Sequence, residues 1–191
     1  MNAARLEAFT DGVFAIIITI MVLEIRVPHG SDLAALQAGL PVLSAYVLSY
    51  VNVGIFWNNH HHMLHATERV NGKVLWANLA LLFWLSLVPF VIRWIDETGF
   101  TALPTAAYGV VLLCAAVSYQ ILQQQLIAYN GRDSRLAAAV GDDFKGKLSL
   151  ILYFAAIVLA FVRPWMAITL YVAVALLWLV PDRRIESLVR K

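Results

Sequence analysis

The sequence predicts an all-α, polytopic membrane protein with six transmembrane helices, and three observations carry that prediction. Of its 191 residues 61% are hydrophobic and only 14% are charged, whereas soluble domains are nearer half apolar and a quarter charged. The mean hydropathy is +0.75. Six segments approach the ~20 apolar residues that a helix needs to cross a bilayer. We therefore expect one six-helix transmembrane domain over residues 1–191, embedded in a lipid bilayer.

The first two predicted helices are bounded by polar and helix-breaking residues. The first covers residues 6–27 and stops at Pro28, His29 and Gly30. It contains Asp11 and has no small-residue cleavage site behind it, so we expect it to remain as a helix and not to be removed as a signal peptide. The second covers residues 41–64, from Pro41 to the start of a polar segment.

The remaining four helices are separated by short polar or proline-containing segments. The third covers residues 74–95, the fourth covers residues 104–129 and ends at Asn130 and Gly131, the fifth covers residues 148–162, and the sixth covers residues 165–180 before Pro181. Only Arg163 and Pro164 separate the last two. A tight turn is the simplest interpretation there, and one long kinked helix is the alternative.

The basic residues divide unequally between the two sides of this six-helix arrangement. The side with the termini carries Arg5, Arg69, Lys73, Arg132, Arg135, Lys145, Lys147, Arg183, Arg184, Arg190 and Lys191, and the other side carries Arg26, Arg93 and Arg163. Basic residues near helix ends are retained in the cytoplasm. The split of eleven to three predicts a multi-pass protein of the inner (plasma) membrane with both termini in the cytoplasm.

The first helix combines an acidic residue with an apolar stripe. At about 100° per residue, Ile16, Thr19 and Leu23 fall within about 60° of one another, whereas Asp11 projects about 140° away from Ile16. An acid at this depth is costly without a partner, so we expect Asp11 to point into neighbouring helices. The simpler alternative is that the stripe serves ordinary helix packing and Asp11 caps the helix.

Four histidines near the end of the second helix raise the question of a metal site. His61 and His65 have the i, i+4 spacing that helical zinc sites use, but no glutamate lies between them. No Cys or Asp pair supports a metal site, and the single Cys114 excludes a disulfide or a cysteine-built site. We expect an interfacial polar cluster that pairs with Asp11 or lipid headgroups, with no bound metal.

Signatures of the other functional classes do not appear in the sequence. The net charge of +2 is too small to indicate nucleic-acid binding. We find no Gly-rich phosphate loop, no Ser/His/Asp set with credible spacing and no facing carboxylates, so neither an enzyme nor a cofactor is predicted.

The start of the first helix resembles potassium channels of the transmembrane-protein-175 family in their short prokaryotic form. That family carries Arg-x-x-x-Phe-Ser-Asp there; Arg5, Phe9 and Asp11 match, and Thr10 replaces the serine. The strings that match the family's second and third helices are Phe56-Trp57-x-x-His60-His61, Asn78-Leu79-x-x-Leu82-Phe83 and Leu87-x-Pro89-Phe90. The resemblance covers the first ninety-odd residues, and beyond them only length, hydropathy and span number agree.

This resemblance implies a homotetramer whose first helices line a central pore with a hydrophobic constriction instead of a carbonyl filter. The sequence contains no Thr-Val-Gly-Tyr-Gly string. By position, the implied pore-lining and gate residues are Ile16, Thr19 and Leu23. The implied polar brace of the pore helix is formed by Arg5, Asp11 and a second-helix histidine, His60 or His61. The permeant species would be potassium ions.

We therefore expect a passive potassium-conducting channel. The alternative is a proton-coupled secondary transporter that uses Asp11 and the histidines as a proton relay. Such carriers often show internal repeats and interrupted helices, and neither is clear in this sequence. A membrane enzyme built on the histidine cluster is a third class, and it lacks an acid–base partner set.

Overall fold

The computed structural model describes residues 3–27, 30–67, 69–131, 133–141 and 143–179, and its regular elements in these ranges are eight α-helices. They are α1 (Ala3–Leu23), α2 (Leu33–His65), α3 (Gly72–Ser86), α4 (Val88–Thr98), α5 (Ala102–Asn130), α6 (Arg135–Val140), α7 (Phe144–Val162) and α8 (Pro164–Leu179). The predicted all-α membrane fold is thereby confirmed.

The first two helices differ from prediction mainly at the end of α1 and the start of α2. Helix α1 ends at Leu23, before the predicted boundary at Val27, and α2 begins at Leu33 rather than at Pro41. The carboxylate of Asp32 accepts a hydrogen bond from the Ala35 amide at 2.9 Å, and such a cap starts a helix effectively. Pro41 consequently lies inside α2. At about 1.5 Å per residue, the 33 residues of α2 extend roughly 50 Å.

The predicted third span is two helices in sequence. Helix α3 starts after Asn71, whose side chain accepts from the Val74 amide at 3.0 Å, and it ends at Ser86. Helix α4 resumes at Val88. Proline has no N–H with which to bond the carbonyl four residues earlier, so Pro89 explains the interruption at Leu87.

The last two long helices turn back on each other as predicted. Helix α7 ends at Val162, Arg163 is extended, and α8 begins at Pro164. The tight turn is therefore correct, and a single kinked helix is not. The predicted end of the sixth span, Val180, and the stops at Pro28 and Pro181 lie outside the described residues.

Within the described residues, five helical segments are long and apolar enough to cross a membrane when α3 and α4 are taken together as Gly72–Thr98. The sixth apolar helix, α8, is shorter, with 16 residues up to the last described position. The predicted cytoplasmic ends, Met1 and Lys191, lie outside the described ranges. The orientation of the protein in the membrane thus stays a prediction.

The centre of the subunit is α5, which packs against α3, α4, α7 and α8. A close approach occurs at Gly109, where a Cβ atom would overlap the Tyr171 hydroxyl and lie 2.8 Å from Ile157. Tyr171 also donates to the carbonyl of Thr105 at 3.0 Å, and its ring meets that of Tyr108 edge-on at 5.2 Å. Glycine at position 109 is what lets α8 pack this closely against α5.

Candidate functional site

Helix α1 has one face against the subunit and one face turned away from it. The buried residues repeat every three or four positions, as one side of a helix requires; they are Ala3, Leu6, Thr10, Phe14, Ile17 and Met21. Ile16 and Leu23 lie on the opposite face and are 58% and 78% exposed. Thr19 lies between them and is also exposed. The three stripe residues thus share the face of α1 that is turned away from the rest of the described chain, where helix packing does not engage them.

The hydroxyl of Thr19 bonds back to its own helix. Its Oγ1 lies 3.0 Å from the carbonyl oxygens of Ala15 and Ile16 and donates to this pair. A hydroxyl has one hydrogen to donate and two lone pairs with which to accept. Donation to the backbone therefore leaves the Thr19 oxygen able to accept from, or coordinate, a species on the outward face.

Asp11 points away from the stripe, as predicted, but its partner is not a histidine. Its Oδ1 accepts a hydrogen bond from Trp57 Nε1 at 2.9 Å. One turn earlier on α1, Glu7 Oε1 lies 2.9 Å from His61 Nδ1. Because α1 and α2 are antiparallel, positions four apart on each helix are matched in pairs. In this register His61 lies opposite Glu7, and Trp57 lies opposite Asp11.

His60 belongs to a separate polar chain that joins three helices. Its Nε2 lies 2.8 Å from Asn78 Oδ1 on α3, and Asn78 Nδ2 donates to Thr10 Oγ1 on α1 at 2.8 Å. All three side chains are fully buried. An amide oxygen only accepts, so the ring hydrogen of His60 is on Nε2. The Nδ1 atom of His60 has no hydrogen-bond partner among the described residues, so this chain joins the three helices through Nε2 alone and is not fully satisfied.

Arg5 lies apart from these contacts. Its side chain is exposed, and among the residues that the structure describes it makes no hydrogen bond or ion pair. The contacts that hold α1 therefore come from Glu7, Thr10 and Asp11. The inclusion of Arg5 in the polar brace has no support within one subunit.

Sequence reasoning missed four members of this contact set. They are Glu7, Thr10, Trp57 and Asn78. Each occupies or adjoins one of the three motif strings, and Asn78 is a polar residue inside an apolar run. Their pairing depends on the register between helices, which periodicity along one helix does not report.

A second set of ionic contacts joins the other end of α1 to α4. Arg93 bonds Glu24 at 2.8 Å and Glu97 at 3.2 Å, and Arg26, just past α1, bonds Glu97 at 2.8 Å. Arg26 also lies 3.6 Å from Asp96. Polar contacts therefore hold α1 at both of its ends, and one face of its middle part is exposed.

An open groove of about 530 Å³ runs along α1 beside the stripe. Its walls are Val13, Ile16, Ile17, Ile20, Glu24, Ser86, Pro89, Phe90 and Arg93. The groove is apolar along most of its length and ends at the Glu24–Arg93 pair. The groove is an open, mostly apolar depression in the surface, and Ile16 of the candidate pore face forms part of its wall.

The histidine cluster does not assemble a metal site in the described part of the chain. There, no group of three or more His, Cys, Asp or Glu side chains is placed to hold an ion. The His61 and His65 rings stack with centroids 5.7 Å apart, and His61 is engaged with Glu7. The described geometry therefore assigns His61 to helix pairing.

The chain is similar to known proteins in family, sequence and structure. A family model described as "Endosomal/lysosomal potassium channel TMEM175" matches residues 5–89. A potassium channel from Chryseobacterium sp. is 50% identical over 187 residues, which cover 98% of this chain and 97% of the relative. The human endosomal/lysosomal proton channel TMEM175 is 36% identical over 96 residues, or 44% of this chain and 19% of the human protein.

The fold also matches a solved structure. A crystal structure described as a lysosomal potassium-selective channel TMEM175 homolog from Chamaesiphon minutus superposes with a TM-score of 0.77 at 25% sequence identity. The match covers 93% of this chain and 96% of that one. The similarity thus extends over the whole bundle, including the half beyond residue 89.

Proposed function

This chain belongs to the TMEM175 family, and on that premise we propose that it is a passive potassium channel of the membrane. The observation that carries the proposal is the 50% identity to a potassium channel across 97% of that relative. The near-complete structural match to a potassium-selective homolog supports it. The protein is a multi-pass membrane protein that conducts an ion and, on this proposal, has no catalytic residue and no cofactor.

The pore in this proposal lies between four subunits, with one α1 from each lining the axis. Supporting this, Ile16 and Leu23 are more than half exposed in a single subunit, and the groove beside α1 leaves room for an adjacent copy. Exposed apolar surface of this size needs a partner or lipid to cover it. Four Ile16 side chains around an axis would form a narrow apolar neck, and such necks gate ions by losing water.

The contacts of Glu7, Thr10 and Asp11 would hold each α1 at a fixed distance from that axis. They lie at the cytoplasmic end of the helix, in the proposed orientation, and the Glu24–Arg93 pair lies at the opposite end. A helix fixed at both ends keeps its outward residues in register with those of its copies. The eleven-to-three distribution of basic residues supports cytoplasmic termini in an inner (plasma) membrane.

Potassium flux in liposomes tests this proposal against a carrier. Purified protein is reconstituted with a potassium gradient, with no proton or sodium gradient, and flux is followed after clamping the membrane potential. A channel releases potassium down its gradient under these conditions, and empty liposomes do not. Flux that appears only when a proton gradient is imposed would instead support the proton-coupled transporter.

The oligomeric state provides a separate test of the pore location. Mass measurement of the purified protein in detergent should give four copies per particle. A particle that stays monomeric and still conducts potassium after reconstitution would exclude an axial pore between subunits.

Proton conduction is a second candidate, because the human relative is named a proton channel. That similarity covers 44% of this chain, and the family model covers residues 5–89, which include most of α1. Proton flux measured in the same liposomes, with a pH-sensitive dye inside and potassium absent, should be compared with potassium flux. Proton entry that Ile16 substitutions change in parallel with potassium flux would assign both ions to one pore.

A further inference from the structure

A cavity lies between α2, α4, α5 and α8, and Ile16, Thr19 and Leu23 are not among its lining residues. Its volume is about 260 Å³, larger than the ~150 Å³ of an engineered apolar cavity that takes up benzene. Most of its wall is hydrocarbon, contributed by Leu48, Ile92, Ile95, Phe100, Ile168 and Val172. Apolar cavities of this kind do not hold water well.

One buried hydroxyl in this wall, that of Thr105, lacks a hydrogen-bond partner among the described residues. Thr105 lines the cavity and is 1% exposed, and its hydroxyl oxygen has no hydrogen-bond partner among the described residues. The neighbouring hydroxyls are engaged, since Ser49 donates to Tyr108 at 2.9 Å and Tyr171 donates to the Thr105 carbonyl at 3.0 Å. A buried hydroxyl without a partner lowers the stability of the fold, because it has lost its hydrogen bonds to water without replacement. A ligand with a hydrogen-bonding atom would remove that cost.

The turn that covers the cavity is also unusual. Gly99 and Phe100 follow α4 with φ values of 69° and 56°. A left-handed conformation is ordinary for glycine but is strained for a bulky residue such as phenylalanine. Strain of this kind persists where the surroundings enforce it and often marks ligand sites. Here it directs Phe100 to the cavity wall.

The cavity opens at the surface of the subunit. Pro41, Ser44 and Val172 line it and are exposed. Pro41 and Ser44 lie in the first half of α2, and Val172 lies near the middle of α8. A molecule dissolved in the bilayer can therefore reach the cavity from the side.

We propose that this cavity binds a small uncharged amphiphile of the alkanol class, with its apolar body along α4 and α8 and its hydroxyl bonded to Thr105. Charged ligands are disfavoured because the cavity wall includes no ionised side chain among the described residues. A pure hydrocarbon would leave the Thr105 hydroxyl unsatisfied. In the cavity wall, Ile92 is adjacent to Arg93, which bonds Glu24 just past the end of α1.

Photolabelling of the full-length assembled protein tests the proposal. The probe is a diazirine analogue of 1-octanol, and labelled positions are mapped by peptide mass spectrometry. We expect saturable labelling of cavity residues, which 1-octanol competes away at least several-fold more effectively than n-octane does. Ala45→Phe, which places a ring in the cavity from α2, should abolish the labelling in protein that elutes normally.

Two matched variants isolate the hydroxyl. Thr105→Val keeps the side-chain shape and should weaken 1-octanol competition about two- to tenfold, which corresponds to one neutral hydrogen bond. Because the Thr105 hydroxyl has no hydrogen-bond partner among the described residues, the melting temperature without ligand should not fall. Thr169→Val removes a nearby hydroxyl that does not line the cavity and donates to Trp165, and it should leave competition unchanged.

Each of the following results would contradict alkanol binding in this cavity. Equal competition by octane and octanol, or no effect of Thr105→Val, would make the cavity a groove for hydrocarbon such as a lipid tail. Labelling that does not saturate and spreads over all lipid-facing helices would mean simple partitioning. Labelling of the cavity only in dissociated subunits would mean that a second copy covers it.

Discussion

Ile16, Thr19 and Leu23 share one exposed face of α1, yet they differ in what each offers an ion. Ile16 and Leu23 present only hydrocarbon, whereas Thr19 presents an oxygen whose hydrogen is already bonded to the backbone. On the proposed pore axis they are separated by about one helical turn each. Their roles can therefore be tested one residue at a time.

Replacing Ile16 with asparagine should increase basal potassium current. An apolar neck excludes ions because water leaves it, and four amides would keep it wet. The change is measured as current at a fixed voltage, normalised to protein amount. Leu23→Ala serves as the comparison and should have a milder effect, because we place the narrowest point at Ile16. Current that Ile16→Asn leaves unchanged would move the gate elsewhere.

Replacing Thr19 with valine should reduce the preference for potassium over sodium while assembly stays intact. Valine keeps the shape of threonine and deletes the oxygen that can accept from a partly dehydrated cation. Because potassium sheds water more easily than sodium, losing this weak coordination should affect potassium more. The measurement is the reversal potential under potassium/sodium gradients. A reversal potential that does not move would assign the Thr19 hydroxyl to its backbone bonds alone.

At the scale of elements, α1 depends on contacts to α2 and α3 that lie off the pore face. The Asp11–Trp57 bond and the Thr10–Asn78–His60 chain connect these helices near one end. The Glu24–Arg93 pair connects α1 to α4 at the other end. Disturbing these contacts should change how well the helices assemble before it changes which ion passes.

Replacing Asp11 with alanine should lower the yield of assembled protein and leave ion preference unchanged. It leaves the Trp57 N–H without its acceptor in a partly apolar setting, a loss of about 1–3 kcal/mol. The readout is the ratio of assembled to dissociated protein on elution, followed by reversal potential on the assembled fraction. Asp11→Asn keeps an acceptor oxygen for Trp57 and is the control that should assemble better. Normal assembly of Asp11→Ala with altered selectivity would place Asp11 in the ion pathway.

Replacing Gly109 with alanine should destabilise the packing of α5 with α7 and α8. The added methyl group overlaps the Tyr171 hydroxyl and crowds Ile157, and overpacking of a core costs about 1–3 kcal/mol. A lower melting temperature in detergent would show this. Gly54→Ala is the matched control, because a Cβ at Gly54 meets nothing within 4 Å. Equal melting temperatures for the two variants would contradict this account of the helix crossing.

At the scale of the whole molecule, the two halves of the bundle differ in the contacts that they contain. Helices α1 to α4 carry the candidate pore face and its polar contacts, and α5, α7 and α8 form the tyrosine-rich packing around Gly109. The family model covers residues 5–89, which is almost all of the first half. The full-length match to a solved channel nevertheless includes both halves.

Orientation in the membrane is the prediction that belongs to this scale. With Cys114 removed, single cysteines placed at either terminus should resist an impermeant thiol reagent in intact cells, because basic residues keep the termini in the cytoplasm. Cysteines in the 30–32 loop, on the opposite side of the six-helix arrangement, should react and serve as the positive control. Labelling of either terminus from outside would overturn the topology.

The sequence by itself determined the fold class, the order of the six apolar segments and the shared angular position of Ile16, Thr19 and Leu23 on α1. Each follows from a property that is local along the chain: hydropathy over about 20 residues, charge near helix ends, and angular position at about 100° per residue. The tight turn at Arg163 was also predictable, because it depends on neighbouring residues along the chain. The exact ends of α1 and α2 were less predictable, since the Asp32 cap outweighs the helix-breaking tendency of Pro41.

Only the tertiary structure decided which polar groups meet. Asp11 was expected to reach a histidine, and it bonds Trp57 because the register of α1 against α2 gives His61 to Glu7. The same holds for the cavity beside Thr105, whose walls come from four helices far apart in sequence. A sequence pattern specifies which face a residue occupies on its own helix. Its distance to a residue on another helix depends on how far each helix slides and rotates against its neighbours, and packing over the entire bundle sets both.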